Sequence, residues 1–132
     1  MPAVQWPLHM GRPMIEVDLS LPSPPHVATC RLVADTGAGS EHAVFQLIMD
    51  EQDCLAFGGV PLGRVQLRGA YVGVFPLYLV QVGIARLHFD EFVEVVGVGH
   101  PPSGFDGIAC FKFLDRFHYG NFAKSGFFGL AT

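Results

Sequence analysis

The sequence predicts an all-β domain, and three observations carry that prediction. Ile15–Leu21 (IEVDLSL) alternates apolar and polar at every step, the two-residue period of a half-buried strand. From Gly58 onward, short runs rich in Val, Phe, Tyr and Leu follow one another, separated by glycine or acidic turns. Helical patterning is confined to two short stretches, Glu41–Phe57 and FKFLDRF at 111–117. Strands at this spacing suggest a closed or sandwiched β architecture.

Taken in order, the alternating strand ends at PSPP (22–25), where proline fixes φ and restricts its predecessor, forcing a turn. His26–Ala34 reads as a second strand that delivers the chain to Asp35. Val44, Leu47 and Ile48 suit a short helix or helical turn within 41–57. GGVPLG punctuates, and RVQLRGAYVGVF reads as a hairpin bending near Gly69 or Gly73. PLYLVQV, ARLHF and FVEVVGV read as further strands, HPPSG (100–104) as a loop. Phe111, Phe113, Leu114 and Phe117 fit one short helix, and a last strand-like pair surrounds Gly120 and Gly126.

At 132 residues the chain fits a single domain, 1–132, able to bury roughly two-thirds of its unfolded surface without a disulfide or metal staple. Half the residues are hydrophobic and 15% are charged, which leaves few charges to cover a surface. An interface with another chain or a compact barrel would account for that balance. The net charge of −4, with Lys and Arg scattered singly, argues against a nucleic-acid partner. Cys30, Cys54 and Cys110 form an odd, widely spaced set, which reads as free thiols in a reducing compartment. MPAVQWPLHMGRP lacks the basic start and continuous apolar core of a signal peptide. Val72–Ala85, broken by Pro76 and Gln81, is too short to span a membrane. The expectation is a cytoplasmic protein with no membrane partner.

The stretch that asks for a function is LVADTGAGS at 32–40. An apolar strand runs straight into an acid, and small, conformationally loose residues follow. A core has no use for that aspartate, and a surface turn has no use for the apolar approach. The pattern suits a single carboxylate held at the end of a strand.

Three features together resemble the retropepsin-like aspartic proteases: the apolar–apolar–x–Asp–Thr–Gly–Ala run at 32–38, a glycine-punctuated hairpin some thirty residues later, and the late G-I-A-x-F-x-F-L-x-x-F segment at 107–117. The resemblance spans about Met14 to Phe122. Asp-Thr-Gly alone would arise by chance in roughly a few per cent of chains this long, so the specificity lies in the combination. It implies an acid-protease closed barrel with a flap hairpin and one short helix near the C-terminus. It also implies an endopeptidase with a peptide or protein substrate, and no metal or organic cofactor.

That chemistry needs two carboxylates about 3 Å apart sharing one proton, because like charges so close cannot both ionise. Two-lobed relatives carry two copies of the motif in one chain, whereas the retroviral type carries one and pairs with itself. A single copy here implies a homodimer with Asp35 from each subunit on the two-fold axis. By the same resemblance, Thr36 hydrogen-bonds across the axis, and Gly37 lets backbone approach substrate. Ala38, in place of a hydroxyl residue, implies activity nearer neutral pH. The hairpin from about Val65 to Val74 is the flap, with Gly69 as its hinge. Leu67, Tyr71, Ala38 and Ile108 face substrate.

The sequence departs from the family where apolar–apolar–Gly is usual, since Ile108, Ala109 and Cys110 stand there. A cysteine at that crowded place is either absorbed by small adjustments or weakens the site, and it raises a redox-sensitivity hypothesis. It also favours the alternative reading, a non-catalytic peptide-binding or dimerisation module that keeps the fold; a structural β-domain with no peptide groove is a third. Asp35 can also be a turn residue capping a following helix. A phosphate-cradling reading of GAGS fails because those folds need two large α/β lobes, and no Walker-type lysine follows. Asp106 reads as a loop acid rather than a second catalytic acid. The six histidines show no metal-ligand spacing, and Trp6 with the phenylalanines reads as core or interface.

Overall fold

A computed structural model describes all 132 residues, Met1–Thr132. The chain runs β1 (Ala3–Pro7), β2 (Met14–Pro22), β3 (Pro25–Ala34), β4 (Leu47–Asp50), α1 (Glu51–Gly58), β5 (Gly63–Leu67) and β6 (Gly73–Ile84). It continues with β7 (Phe89–Val98), β8 (Gly107–Ala109), α2 (Phe111–Leu114), β9 (His118–Gly120) and β10 (Phe127–Ala131). The protein is mostly β, as the alternation and the turn spacing predict.

Six strands close on themselves in the order β2-β3-β8-β4-β7-β6, with β6 pairing back to β2 at Asp18↔Gly83 and Ser20↔Gln81. Closure removes the open sheet edges that would otherwise present unpaired peptide groups. The inward side chains of β2 (Ile15, Val17, Leu19) are inaccessible to solvent and join one apolar cluster that fills the barrel. Strand β6 is the longest. Its later residues belong to the barrel, whereas Gly73–Leu77 pair with β5 and carry a two-stranded ribbon beyond it. Pairing with β7 begins only at Leu77, just after Pro76, which has no N–H to offer.

Several expectations need correction. Each of the two stretches with helical patterning does contain an α-helix, and a 3₁₀ turn over Ala85–Leu87 is added, but the bounds differ. Leu47–Asp50 is a strand, and the helix in that region starts only at Glu51, capped by the Asp50 side chain accepting from Gln52 N–H at 2.9 Å. β4 lies between parallel β7 and antiparallel β8, so Leu47, Ile48 and Met49 are all buried. A short, wholly buried strand loses its alternation and cannot be told from a helix by period. In ARLHF, Ala85–His88 form not a strand but the turn between β6 and β7, with Phe89 opening β7, and PLYLVQV continues the hairpin arm without a break.

The chain's two ends meet. β1 pairs antiparallel with β10, placing Trp6 opposite Phe128, and β9 completes a three-stranded sheet beside the barrel. Next to it, α2 is a single turn whose Phe113 and Leu114 are fully buried. Phe89, Phe113 and Phe117 form an aromatic cluster with ring centroids 5.5–5.6 Å apart. No helix is long and apolar enough to cross a membrane.

Candidate active site

Strands β3 and β8 run parallel, in the register Leu32↔Gly107, Val33↔Ile108 and Ala34↔Ala109. The ladder continues one residue past the strand, where Asp35 N–H donates to Ala109 C=O at 3.0 Å. That bond fixes where the aspartate leaves the sheet. The chain then folds back: Ala38 N–H donates to Asp35 C=O at 3.2 Å, and Gly37 N–H donates to the Asp35 carboxylate Oδ1 at 2.9 Å. Such a side-chain turn holds one oxygen of the acid by charge-assisted hydrogen bonding. The other oxygen has no partner within the chain.

Two more segments lock the loop. Phe111 N–H at the start of α2 donates to Ala38 C=O at 2.9 Å, and Cys110 N–H donates to Gln46 C=O at 3.1 Å. The turn after β3, the residues leading into β4 and the start of α2 therefore meet around one carboxylate. Asp35 is half-buried, neither a core residue nor an isolated outer turn.

Above it lies a cleft of about 200 Å³. Its lining brings together Asp35, Gly37, Ala38, Leu67, Gly69, Tyr71 and Ile108, seven residues expected at the site. Thr36 is not among them; it is exposed, and its hydroxyl has no partner in its own chain. The hairpin tip forms the roof. Gly69 sits there with φ +100°, a conformation that disfavours any side chain. Tyr71 bridges from the tip to the 100–104 loop, its hydroxyl donating to His100 C=O at 2.8 Å and its ring edge-on to Phe75. Burial pushes the Tyr71 phenol above its ordinary value.

Phe45, Ile48 and Arg68 also line the cleft and escape the sequence reading. Phe45 and Ile48 fall within 41–57, where the pattern suggests a helix. Arg68 lies between Leu67 and Gly69, both expected at the site, and its place in a hairpin tip is the signal that points to it. Asp35 is the only acid in the lining, so a single chain brings one carboxylate to the cleft.

Cys110 is absorbed without distortion. It is completely buried, with φ −85° and ψ 172°, extended backbone that any residue adopts. Burial, and then the nearby Asp35 charge, push its thiol up to about 12. A thiol so shielded stays protonated and unreactive, which speaks against the redox hypothesis. Asp106 serves the backbone: its Oδ2 accepts from Arg31 N–H at 2.8 Å, its own N–H donates to Arg31 C=O, and its C=O accepts from Asp50 N–H. No three His, Cys, Asp or Glu side chains stand close enough together to hold a metal ion.

No protein-family model matches the chain, and neither does any curated protein or solved structure.

Proposed function

We propose that this chain is an aspartic endopeptidase of the retropepsin-like, single-lobe kind, active as a homodimer. The observation that carries the reading is the Asp35 carboxylate. It stands at the end of a barrel strand, gripped by Gly37 N–H, under a hairpin that roofs a cleft. One carboxylate alone lacks the acid–base pair that peptide hydrolysis needs. A second copy, related by a two-fold axis beside Asp35, supplies the other. Thr36, exposed and unpartnered in its own chain, is free to hydrogen-bond across that axis.

In the dimer the two carboxylates hold one proton between them and titrate as a pair. The ionised member takes a proton from a water that adds to the scissile carbonyl. The protonated member hydrogen-bonds the carbonyl oxygen and passes its proton to it as the water adds. The resulting diol then collapses as a proton passes to the leaving amine. The apolar wall of Phe45, Ile48, Leu67 and Ile108 excludes water around the bond, and the hairpin gates entry. The cytoplasmic placement rests on three buried, unpaired cysteines, which suit a reducing compartment.

One observation favours a second reading. The isolated chain offers a cleft with a single acid, which suits a peptide-binding or dimerisation module as well as half an enzyme. A broad peptide-library digest, with and without a statine-type inhibitor, separates the two when joined to a solution mass measurement. Inhibitor-blocked cleavage by a dimer supports the enzyme. Binding without cleavage supports the module, and a strict monomer that cleaves nothing sinks the endopeptidase.

A further inference from the structure

Past Asp35 the cleft opens into a second, more polar recess that shares Gly39, Phe45, Leu67 and Arg68 with it. Ser40, Gln66 and Arg68 make its polar wall, and Ala43 and Phe45 its apolar floor. The wall is rich in donors and holds no acid. Arg68 has five N–H donors and no acceptor. The cations paired with carboxylates are Arg31 with Glu16 and Arg116 with Glu91, while Glu41 lies beside His42, which leaves the Arg68 guanidinium without a carboxylate. Ser40 Oγ already accepts from His42 N–H at 3.2 Å, so its hydroxyl hydrogen is free to donate outward. The Gln66 side chain is exposed and unengaged.

The hairpin also presents free backbone. None of the peptide groups from Arg68 to Val72 hydrogen-bonds to another backbone group of the chain, so this bent tip leaves N–H and C=O groups free for a peptide lying in the cleft. In an extended peptide, side chains alternate between faces, so two adjoining recesses on one side take residues i and i+2. The inner recess is apolar and contains Asp35, which repels a second anion. The unpaired cation, Arg68, lines both recesses, and only the outer one holds it without an acid.

We infer that the outer recess is a carboxylate subsite, and that the cleft prefers extended peptides with Glu or Asp two residues from a large apolar residue. Arg68 is the residue that sets this preference. The inference rests on the endopeptidase reading for turnover but not for binding, and the two are tested separately. The probes are fluorescent decapeptides with a Leu-Phe core that differ only in Glu, Gln or Lys two residues from the core. Their cleavage is followed with the unaltered protein, and their binding with an Asp35→Asn variant.

The Glu peptide should exceed the Gln peptide by about fivefold and the Lys peptide by about tenfold, in kcat/KM and in affinity, since an exposed ion pair contributes modestly. The margin should shrink at high salt. Arg68→Glu, an exposed tip substitution whose folding is checked by urea denaturation, should reverse the Glu–Lys order. Equal binding of Glu and Lys peptides, no binding of either, or an unchanged order in Arg68→Glu overturns the subsite. Glu-selective binding without any cleavage supports the subsite and overturns the endopeptidase. Cleavage blind to charge does the reverse.

Discussion

Gly37 N–H donates to Asp35 Oδ1 at 2.9 Å, and a Cβ added to Gly37 would stand 3.2 Å from that same oxygen. The glycine is needed for room rather than for an unusual dihedral, since its φ lies outside the left-handed region. Gly37→Ala should therefore displace the carboxylate by a few tenths of an ångström. A misplacement of about 1 Å can cost about 100-fold, so a shift of a few tenths should lower peptide turnover by about three- to fivefold. The urea midpoint should hardly move, because Gly37 is exposed. Full activity in Gly37→Ala would show that the carboxylate tolerates displacement and is not held for catalysis.

Asp35→Asn separates chemistry from architecture. The side-chain amide keeps an oxygen that can accept from Gly37 N–H, so the turn should survive. Its acid–base function is gone, and turnover should fall by about 10³ or more. Paired measurements of thermal unfolding and peptide cleavage check both halves. Near-normal cleavage would end the assignment of Asp35 as the catalytic acid.

What the sequence makes legible is what local chemistry determines. Ile15–Leu21 has one wet and one dry face, so its strand shows, and Asp35 shows because an apolar run ends abruptly on an acid followed by small residues. Leu47–Met49 does not show, because burial on both faces erases the period. Ala3–Pro7, preceded by Pro2 and ending on Pro7, becomes a strand only because Phe127–Ala131, from the far end of the chain, lies beside it. Leu67 and Tyr71 come to the cleft through the hairpin, whose glycines are visible. Phe45 and Ile48 reach it only through the closure of the barrel, which no local pattern encodes.

The close approach that requires a glycine lies at Gly107, three residues before Cys110. A Cβ there would fall 2.2 Å from Ile48 C=O and 2.9 Å from Met49 Cα, both backbone atoms of β4 that cannot swing aside. Gly107→Ala should force β8 away from β4 and destabilise the fold by about 3 kcal/mol or more. Urea unfolding of the variant against the parent measures it. A loss under about 1 kcal/mol would mean that the two strands have slack at this point.

The buried Cys110 thiol gives stability an alkaline edge. In the unfolded chain the group has its ordinary value of 9.0, and in the fold it stands at about 12. Below pH 9 both states keep the proton, and the thiol adds no pH dependence. Between 9 and about 12 the unfolded chain releases a proton that the folded one retains. The free energy of unfolding must then fall as pH rises, by up to about 1.4 kcal/mol per pH unit from this group. Cys30 and Cys54 are raised for the same first reason, burial, so they act in the same direction. Cys110→Ala should make the decline from pH 9 to 11 shallower without abolishing it. Identical slopes for variant and parent would show that the thiol already ionises freely in the fold.

Tyr71 ties the hairpin tip to the 100–104 loop through one hydrogen bond, from its hydroxyl to His100 C=O at 2.8 Å. Tyr71→Phe removes that bond and leaves the ring to pack against Phe75. His100 is exposed, so its carbonyl can turn to water, and global stability should change by less than about 1 kcal/mol. The cost should appear instead in the roof. Losing about 1 kcal/mol of bias toward the closed tip shifts the closed-to-open ratio by about fivefold. If peptide is held only under a closed roof, KM should rise by up to that factor while kcat stays close to the parent value. Amide exchange at Arg68–Val72 should quicken in step. A variant whose KM and tip exchange both match the parent would show that the hairpin is held down by its packing, and that the hydroxyl is no latch.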